Sequence, residues 1–229
     1  MNGKKVVLIT GGSDGLGKAI AETLTLSCQV IILSPTKDKV KSVAEELKCD
    51  FVVADVTNYD SLKFAVEKIV DKYGRIDCLI NSAGLWIQDE LDDNDPQLIE
   101  KVIKVNTLGL ILATKAVIGH MKLQKNGLII NINSQSGIYS REARSVYAAS
   151  KWAVTGFTRS LQPELSKYGI GVTGILPGGL KTAMFDKSGN PKDQSKFLDP
   201  KEVAKVVEFL LSLDPSTVLP EIGIKFITN

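Results

Sequence analysis

Lys4-Lys-Val-Val-Leu-Ile-Thr10 runs without a break into Gly11-Gly-Ser-Asp-Gly15-Leu-Gly17, and that loop into Lys18-Ala-Ile-Ala-Glu-Thr-Leu24. The first segment is apolar and rich in β-branched residues, the pattern of a short buried strand. The last has helical periodicity. Glycines at a strand-to-helix turn let the backbone bend sharply and let a pyrophosphate approach the free N–H groups that open the helix. A plain left-handed turn is the alternative, but the flanking strand and helix favour the binding loop. The loop is not Gly-x-x-x-x-Gly-Lys-Ser/Thr, which argues against a P-loop hydrolase.

Working outward, strand-like runs near Val6–Thr10, Gln29–Leu33, Phe51–Ala54, Cys78–Asn81, Leu128–Ser134, Gly171–Leu176 and Ile222–Ile227 alternate with helical ones. The helices begin near Gly15, Lys37, Tyr59, Pro96, Tyr147 and Pro200. Such alternation predicts an α/β fold: a doubly wound parallel sheet of about seven strands with helices on both faces. Ligand is expected at the strand carboxyl ends, where the strand order reverses. The 229 residues form one expected domain, 1–229. The polar stretch 179–198, bearing Gly189-Asn190-Pro191, is its one long irregular segment and the expected substrate lid, with Met184 and Phe185 as apolar contacts. A loop that packs these residues only for stability is the alternative.

The second informative segment is Tyr147-Ala-Ala-Ser-Lys151, which sets a phenol and an ammonium one helical turn apart. Ser134 ends the apolar run Gly127-Leu-Ile-Ile-Asn-Ile-Asn-Ser134, so a hydroxyl at a strand end can face a phenol at a helix start. A free tyrosine titrates at about 10, and a nearby Lys⁺ lowers that value toward neutral pH. Ser134 would hold a carbonyl oxygen while Tyr147 gives it a proton, or takes one in the reverse direction. The same spacing also arises by chance in helices, so the weight falls on the rest of the chain.

Composition narrows the field. A net charge of +2 with acids and bases interspersed gives no argument for nucleic acid or an anionic membrane. The N-terminus runs straight into the first strand, so no signal peptide is expected, and no apolar stretch is expected to be long enough to span a bilayer. The three cysteines, Cys28, Cys49 and Cys78, are scattered, lack metal-ligand spacing and point to a reducing, cytoplasmic compartment; they read as buried or partly buried thiols. His120 is the only histidine, which leaves little room for a Ser-His-Asp hydrolase and none for a His-rich metal site.

Thr10-Gly11-x-x-x-Gly15-x-Gly17, Asp55, Asn81-Ser-Ala83-Gly84, Asn106, Ser134, Tyr147-x-x-x-Lys151 and Pro177-Gly178-x-x-x-Thr182 resemble, in order and spacing, the short-chain dehydrogenase/reductase family in its compact single-domain branch. The likeness runs from Lys4 to about Thr182 and more loosely beyond. It implies a Rossmann-like fold and hydride transfer between NADP(H) or NAD(H) and a small carbonyl or alcohol substrate. By resemblance, Tyr147 is the acid/base, Lys151 lowers its pKa and holds the nicotinamide ribose, and Ser134 orients substrate. Asn106 anchors a proton-relay water through its helix backbone. Thr10, Gly11, Ser13, Gly15, Leu16 and Gly17 correspond to the pyrophosphate turn. Asp55 and Val56 correspond to the adenine contact, and Asn81, Ala83 and Gly84 to the segment along the cofactor. Pro177, Gly178 and Thr182 correspond to the loop over the nicotinamide. Each has a plainer alternative: Asp55 and Thr57 a turn and helix cap, Asn106 a satisfied core amide, Pro177-Gly178 a chain reversal.

Cofactor choice turns on the end of the second strand, Leu33-Ser34-Pro35-Thr36-Lys37, where NAD-preferring relatives usually place an acid. Ser34, Thr36 and Lys37 can bind a 2′-phosphate, so NADP is the preferred cofactor and NAD the alternative. Three departures stand out. Asp14 takes a loop position where many phosphate-binding relatives carry a base, Pro35 replaces a frequent arginine, and Ser82 replaces a second asparagine. The resemblance also implies a homodimer or homotetramer built on the helices containing Asn106 and Tyr147. Trp86, Gln135, Tyr139, Arg141, Met184 and Phe185 are candidate substrate-lining residues, and Arg141 and Arg144 either meet an anionic substrate or lie on solvated surface. A dinucleotide sensor without catalysis is the competing function, and a sugar-nucleotide epimerase the third.

Overall fold

The computed structural model describes residues 3–139 and 141–227; Met1, Asn2, Ser140, Thr228 and Asn229 of the expected 1–229 domain lie outside the described residues. Seven strands, β1 (Val6–Thr10), β2 (Gln29–Ser34), β3 (Asp50–Val53), β4 (Cys78–Asn81), β5 (Gly127–Ile132), β6 (Ile170–Pro177) and β7 (Glu221–Ile224), form one parallel sheet. Their order is β3-β2-β1-β4-β5-β6-β7. The helices are α1 (Gly15–Leu24), α2 (Lys37–Leu47), α3 (Tyr59–Tyr73), α4 (Pro96–Ile103), α5 (Leu110–Gln124), α6 (Ser145–Ser166), α7 (Met184–Lys187) and α8 (Pro200–Ser212).

The alternation of side chains along β1 accounts for the two-sided core. Val7 and Ile9 face α1, α2 and α8, in a cluster with Ile20, Val40 and Val203. Val6 and Leu8 face α3, α5 and α6, in a cluster with Leu62, Val117 and Leu165. A parallel sheet covered on both faces needs apolar residues at consecutive positions, which is why its strands read as unbroken apolar runs. Asp95 and Asp199 cap α4 and α8 by accepting from Gln97 and Lys201 N–H groups, and Pro96 and Pro200 take the first helical positions.

Register levels the carboxyl ends: Thr10 lies opposite both Leu33 and Asn81, and Asn81 opposite Asn131. The chain leaves β1 toward β2 and β3, then returns to lay β4 on the other side of β1. The crevice where the order reverses is therefore at the end of β1, above the glycine-rich loop.

Three local features differ from the sequence expectation. Helix α4 continues through a π turn, Lys104–Gly109, into α5. The continuous helix Pro96–Gln124 is 29 residues long and apolar enough to cross a membrane by length and composition, which corrects the expectation that no stretch reaches that length. Lys101, Lys104 and Lys115 break up its apolar reading, and Val102, Leu110, Ala113, Val117 and Met121 bury one face of it. Helix α6 starts at Ser145, two residues before Tyr147. The irregular segment 179–198 contains α7, and its two ends are pinned by a parallel bridge, Leu180 to Leu198. Leu198 N–H donates to Gly179 O at 2.9 Å and Lys181 N–H to Leu198 O at 2.9 Å.

Candidate active site

A cleft of about 1020 Å³ opens at the carboxyl ends of the strands. Its lining includes Gly11, Ser13, Gly15, Leu16, Gly17, Ser34, Thr36, Asp55, Val56, Ala83, Gly84, Ser134, Tyr147, Lys151, Pro177, Gly178 and Thr182. The predicted substrate-side residues Trp86, Gln135, Tyr139, Arg141, Met184 and Phe185 line it as well. Two sets of residues far apart in sequence thus meet in one space.

The floor of the cofactor half is the turn after β1. Gly11 has φ +68, and a Cβ there would lie 2.8 Å from the Ala83 Cα. A Cβ on Gly17 would lie 2.4 Å from the Gly11 carbonyl oxygen. Both positions therefore require glycine, one for the left-handed turn and one for the close passage of helix over loop. Thr10 lies beneath the cleft; its Oγ1 accepts the Ser82 and Ala83 N–H groups at 3.1 and 3.2 Å, tying the loop to the segment after β4. Asn81 is also below the wall, its amide donating to Thr114 Oγ1 at 3.0 Å and Asn131 Oδ1 at 2.9 Å. Asp55 accepts both the N–H and the hydroxyl of Thr57 at 2.8 Å while still lining the cleft; the α3 cap is Asn58.

At the far end of this half, the Ser13 and Ser34 hydroxyls are 3.0 Å apart. Thr36 sits at the cap position of α2 with its hydroxyl unused by the cap. Lys37 is a correction: it is exposed and does not line the cleft, whereas Lys39 does. Lys39 Nζ is 2.6 Å from Asp14 Oδ2, and Lys187 of α7 also pairs with that carboxylate. Asp14 in addition accepts the Gly15 N–H at 2.8 Å, capping α1. Burial alone would raise this carboxyl, but hydrogen bonds from Lys187, Lys39 and the Gly15 backbone outweigh it and hold its pKa at about 2. The sequence carries no local signal for this cluster, because its members are 25 and 173 residues apart.

The other half holds the proton-transfer candidates. Ser134 Oγ accepts the Ser136 N–H at 3.1 Å, which fixes its hydroxyl at the start of the 3₁₀ turn Gln135–Gly137. Tyr147 and Lys151 are 7% and 5% exposed. Burial pushes the Tyr147 phenol up to about 12, against a hydrogen bond from Ser134 and the positive charge of Arg144. Burial brings the Lys151 ammonium down to about 8. Its Nζ donates to the Ile132 carbonyl at 3.1 Å and lies 5.9 Å from the Tyr147 ring centroid. Arg144, one turn before Tyr147, also opposes the effect of burial on the phenol.

Asn106 is buried in the π turn and does not line the cleft. Its Oδ1 accepts the Leu85 N–H at 2.7 Å, and its Nδ2 donates to Leu85 O at 2.9 Å and Ser150 Oγ at 3.1 Å. The amide therefore clamps the strand-exit segment that carries Gly84 and Trp86. Trp86 in turn packs on Tyr147, with ring centroids 4.4 Å apart, and on Phe185 at 5.0 Å. The free cysteines are far from metal-site geometry: Cys28 and Cys78 are buried and Cys49 partly so, and the described residues contain no His/Cys/Asp/Glu cluster able to hold a metal.

Comparison with known proteins agrees with this geometry. Residues 5–193 match the model of the short chain dehydrogenase family. The 3-oxoacyl-(acyl-carrier-protein) reductase FabG of Thermotoga maritima is 35% identical over 232 residues, covering 95% of this chain and 94% of that protein. Among solved structures, ElxO with NADP bound superposes with a TM-score of 0.87 at 30% identity, covering 97% of each chain. An alcohol dehydrogenase of Thermococcus sibiricus, complexed with 5-hydroxy-NADP, does so with a TM-score of 0.89 at 25% identity, again over 97% of each chain. A glycine loop under one end of the cleft, a buried tyrosine and lysine under the other, and likeness along nearly the whole sequence lead to one conclusion: the chain belongs to the short-chain dehydrogenase family of oxidoreductases.

Proposed function

We propose that the protein is an NADP(H)-preferring reductase of small carbonyl compounds, or a dehydrogenase of the corresponding alcohols. One observation carries this: Ser134, Tyr147 and Lys151 share a single cleft with the glycine loop at the sheet's switch point. The residues fit a dinucleotide, since the glycine turn with Gly11, Gly15 and Gly17 lines one part of the cleft and Ser34, Thr36 and Lys39 surround the far end. Bound nicotinamide supplies the hydride.

The chain's own residues do the rest. Ser134 orients the carbonyl oxygen, and Tyr147 holds the proton that this oxygen receives. Lys151, fixed on the Ile132 carbonyl, presents its remaining N–H donors to the ribose side of the cleft. Asn106 lies in the π turn Lys104–Gly109, an irregularity of the kind frequent at functional sites, which supports its role in anchoring a relay water. The segment 179–198 acts as the substrate lid. A dinucleotide sensor would have no use for a proton donor set beside the hydride position. Scattered thiols and family membership support a reducing, cytoplasmic setting.

Tyr147→Phe is the test. Fluorescence titration should show NADPH affinity retained, while turnover of a ketone panel falls by roughly 10²–10⁴-fold. Retained turnover would sink the assignment of Tyr147.

A further inference from the structure

The chain contains four arginines. Arg75 and Arg159 are paired with carboxylates, those of Asp77 and Glu221. The other two, Arg141 and Arg144, line the cleft, and among the described residues neither has a carboxylate partner or donates a hydrogen bond from its guanidinium. A guanidinium carries five N–H donors, and a partly buried one without acceptors is unfavourable. Arg144 is partly buried beside a like charge: burial first, then Arg141, lowers its pKa.

Its position is held from two sides. The Arg144 Cζ lies 5.1 Å from the Trp86 ring centroid, a cation–π contact. The preceding residue, Ala143, has φ +54, in the left-handed region costly for alanine, and its carbonyl accepts the Asp89 N–H at 3.1 Å. Trp86 also packs on Tyr147, so the cation and the proton donor contact the same indole. Among the described residues the buried Trp86 Nε1 has no partner either. Phe185 packs edge-on against the same indole and makes the space between the two ends apolar.

Resting on the reductase reading above, the structure assigns Arg144, with Arg141 at the rim, as the receptor for a carboxylate on the substrate. The substrate class is an oxo acid, or in reverse a hydroxy acid, whose carbonyl and carboxylate are joined by a short apolar spacer. The reaction leaves the carboxylate untouched. The C=O gains hydride from the reduced cofactor at carbon and a proton from Tyr147 at oxygen, giving the hydroxy acid and oxidised cofactor. Arg144 is a specificity residue because it lines the cleft on the same indole as the proton donor.

The experiment compares a series of oxo acids with their methyl esters, and titrates hexanoate into the cofactor-saturated protein by calorimetry. The acid should be preferred over its ester by roughly tenfold or more in kcat/KM, mainly through KM. Hexanoate should bind and compete with the oxo acid. R144Q should collapse the acid-to-ester ratio, and R144K should restore part of it. Turnover of acid and ester at equal efficiency, with no hexanoate binding, overturns the carboxylate receptor and leaves the reductase reading intact. Hexanoate binding without turnover of either compound overturns the reductase reading and keeps the anion site. Neither binding nor turnover overturns both. The wild-type ratio and the hexanoate titration need no variant, so a poorly folding R144Q does not blunt the test.

Discussion

Among the described residues Lys151 has one acceptor, the Ile132 carbonyl, and burial brings its pKa from 10.5 to about 8. Between those values the unfolded chain holds a proton that the folded chain has released, so stability rises with pH through this window. Below about 8 the folded protein carries a desolvated ammonium at a cost. Lys151→Met should therefore stabilise the cofactor-free protein at pH 7 by on the order of 1–3 kcal/mol and flatten the gain between pH 7 and 9.5. Urea denaturation at both pH values checks this, and equal pH slopes for the two proteins would refute it. Lys39 makes a second residue-scale case. Lys39→Glu should weaken NADPH by roughly tenfold or more while leaving NADH nearly unchanged, read by fluorescence titration. A matching loss for both cofactors would remove Lys39 from the phosphate site. Sequence reading chose Lys37 here for a geometric reason: residues two apart on a helix point to nearly opposite sides, and only the start of α2 was legible. Tyr147, Lys151 and Ser134 were legible because one helical turn and one strand end place them, with no need of distant contacts.

Among the elements, α1, α2 and α7 converge on one carboxylate. Asp14 caps α1 and pairs with Lys39 of α2 and Lys187 of α7, so the glycine loop and segment 179–198 are joined across the mouth of the cleft. Asp14→Asn keeps a capping oxygen and removes both ion pairs. Because these pairs are largely exposed, global stability should fall by no more than about 1 kcal/mol. Amide hydrogen exchange should nevertheless speed up across 179–198 and stay unchanged in the β1 and β4 amides. Unaltered exchange in that segment would show that the pairing does not hold it. The central strands could be placed from sequence because two-sided burial writes an apolar run at each of them, whereas the edge strands β3 and β7 are only half-buried. The π turn at Asn106 could not, since it adds one residue to a helix whose apolar spacing continues on either side.

The whole molecule buries both faces of its sheet yet leaves apolar side chains outside. Thr107 Oγ1 donates to the Ser150 carbonyl at 3.1 Å, tying the π turn to α6. On these joined helices Ile103, Leu108 and Trp152 are 38%, 42% and 48% exposed. We propose that they meet a second copy of the chain, as expected for a homodimer or homotetramer. Trp152→Glu should convert the assembly to monomer in sedimentation velocity, and a wild type that sediments as monomer would refute the proposal. The sheet order follows the alternation of elements in sequence, whereas the pairing across the cleft depends on tertiary closure and leaves no trace in any short window. The Leu180–Leu198 bridge has a consequence of its own. By joining the two ends of the intervening stretch, it makes residues 181–197 a cassette whose ends are held together. Lengthening or exchanging such a cassette adds little closure entropy and leaves the strands unmoved. Substrate preference in this scaffold is thus free to diverge by grafting one segment, while the proton donor and the glycine turn keep their places.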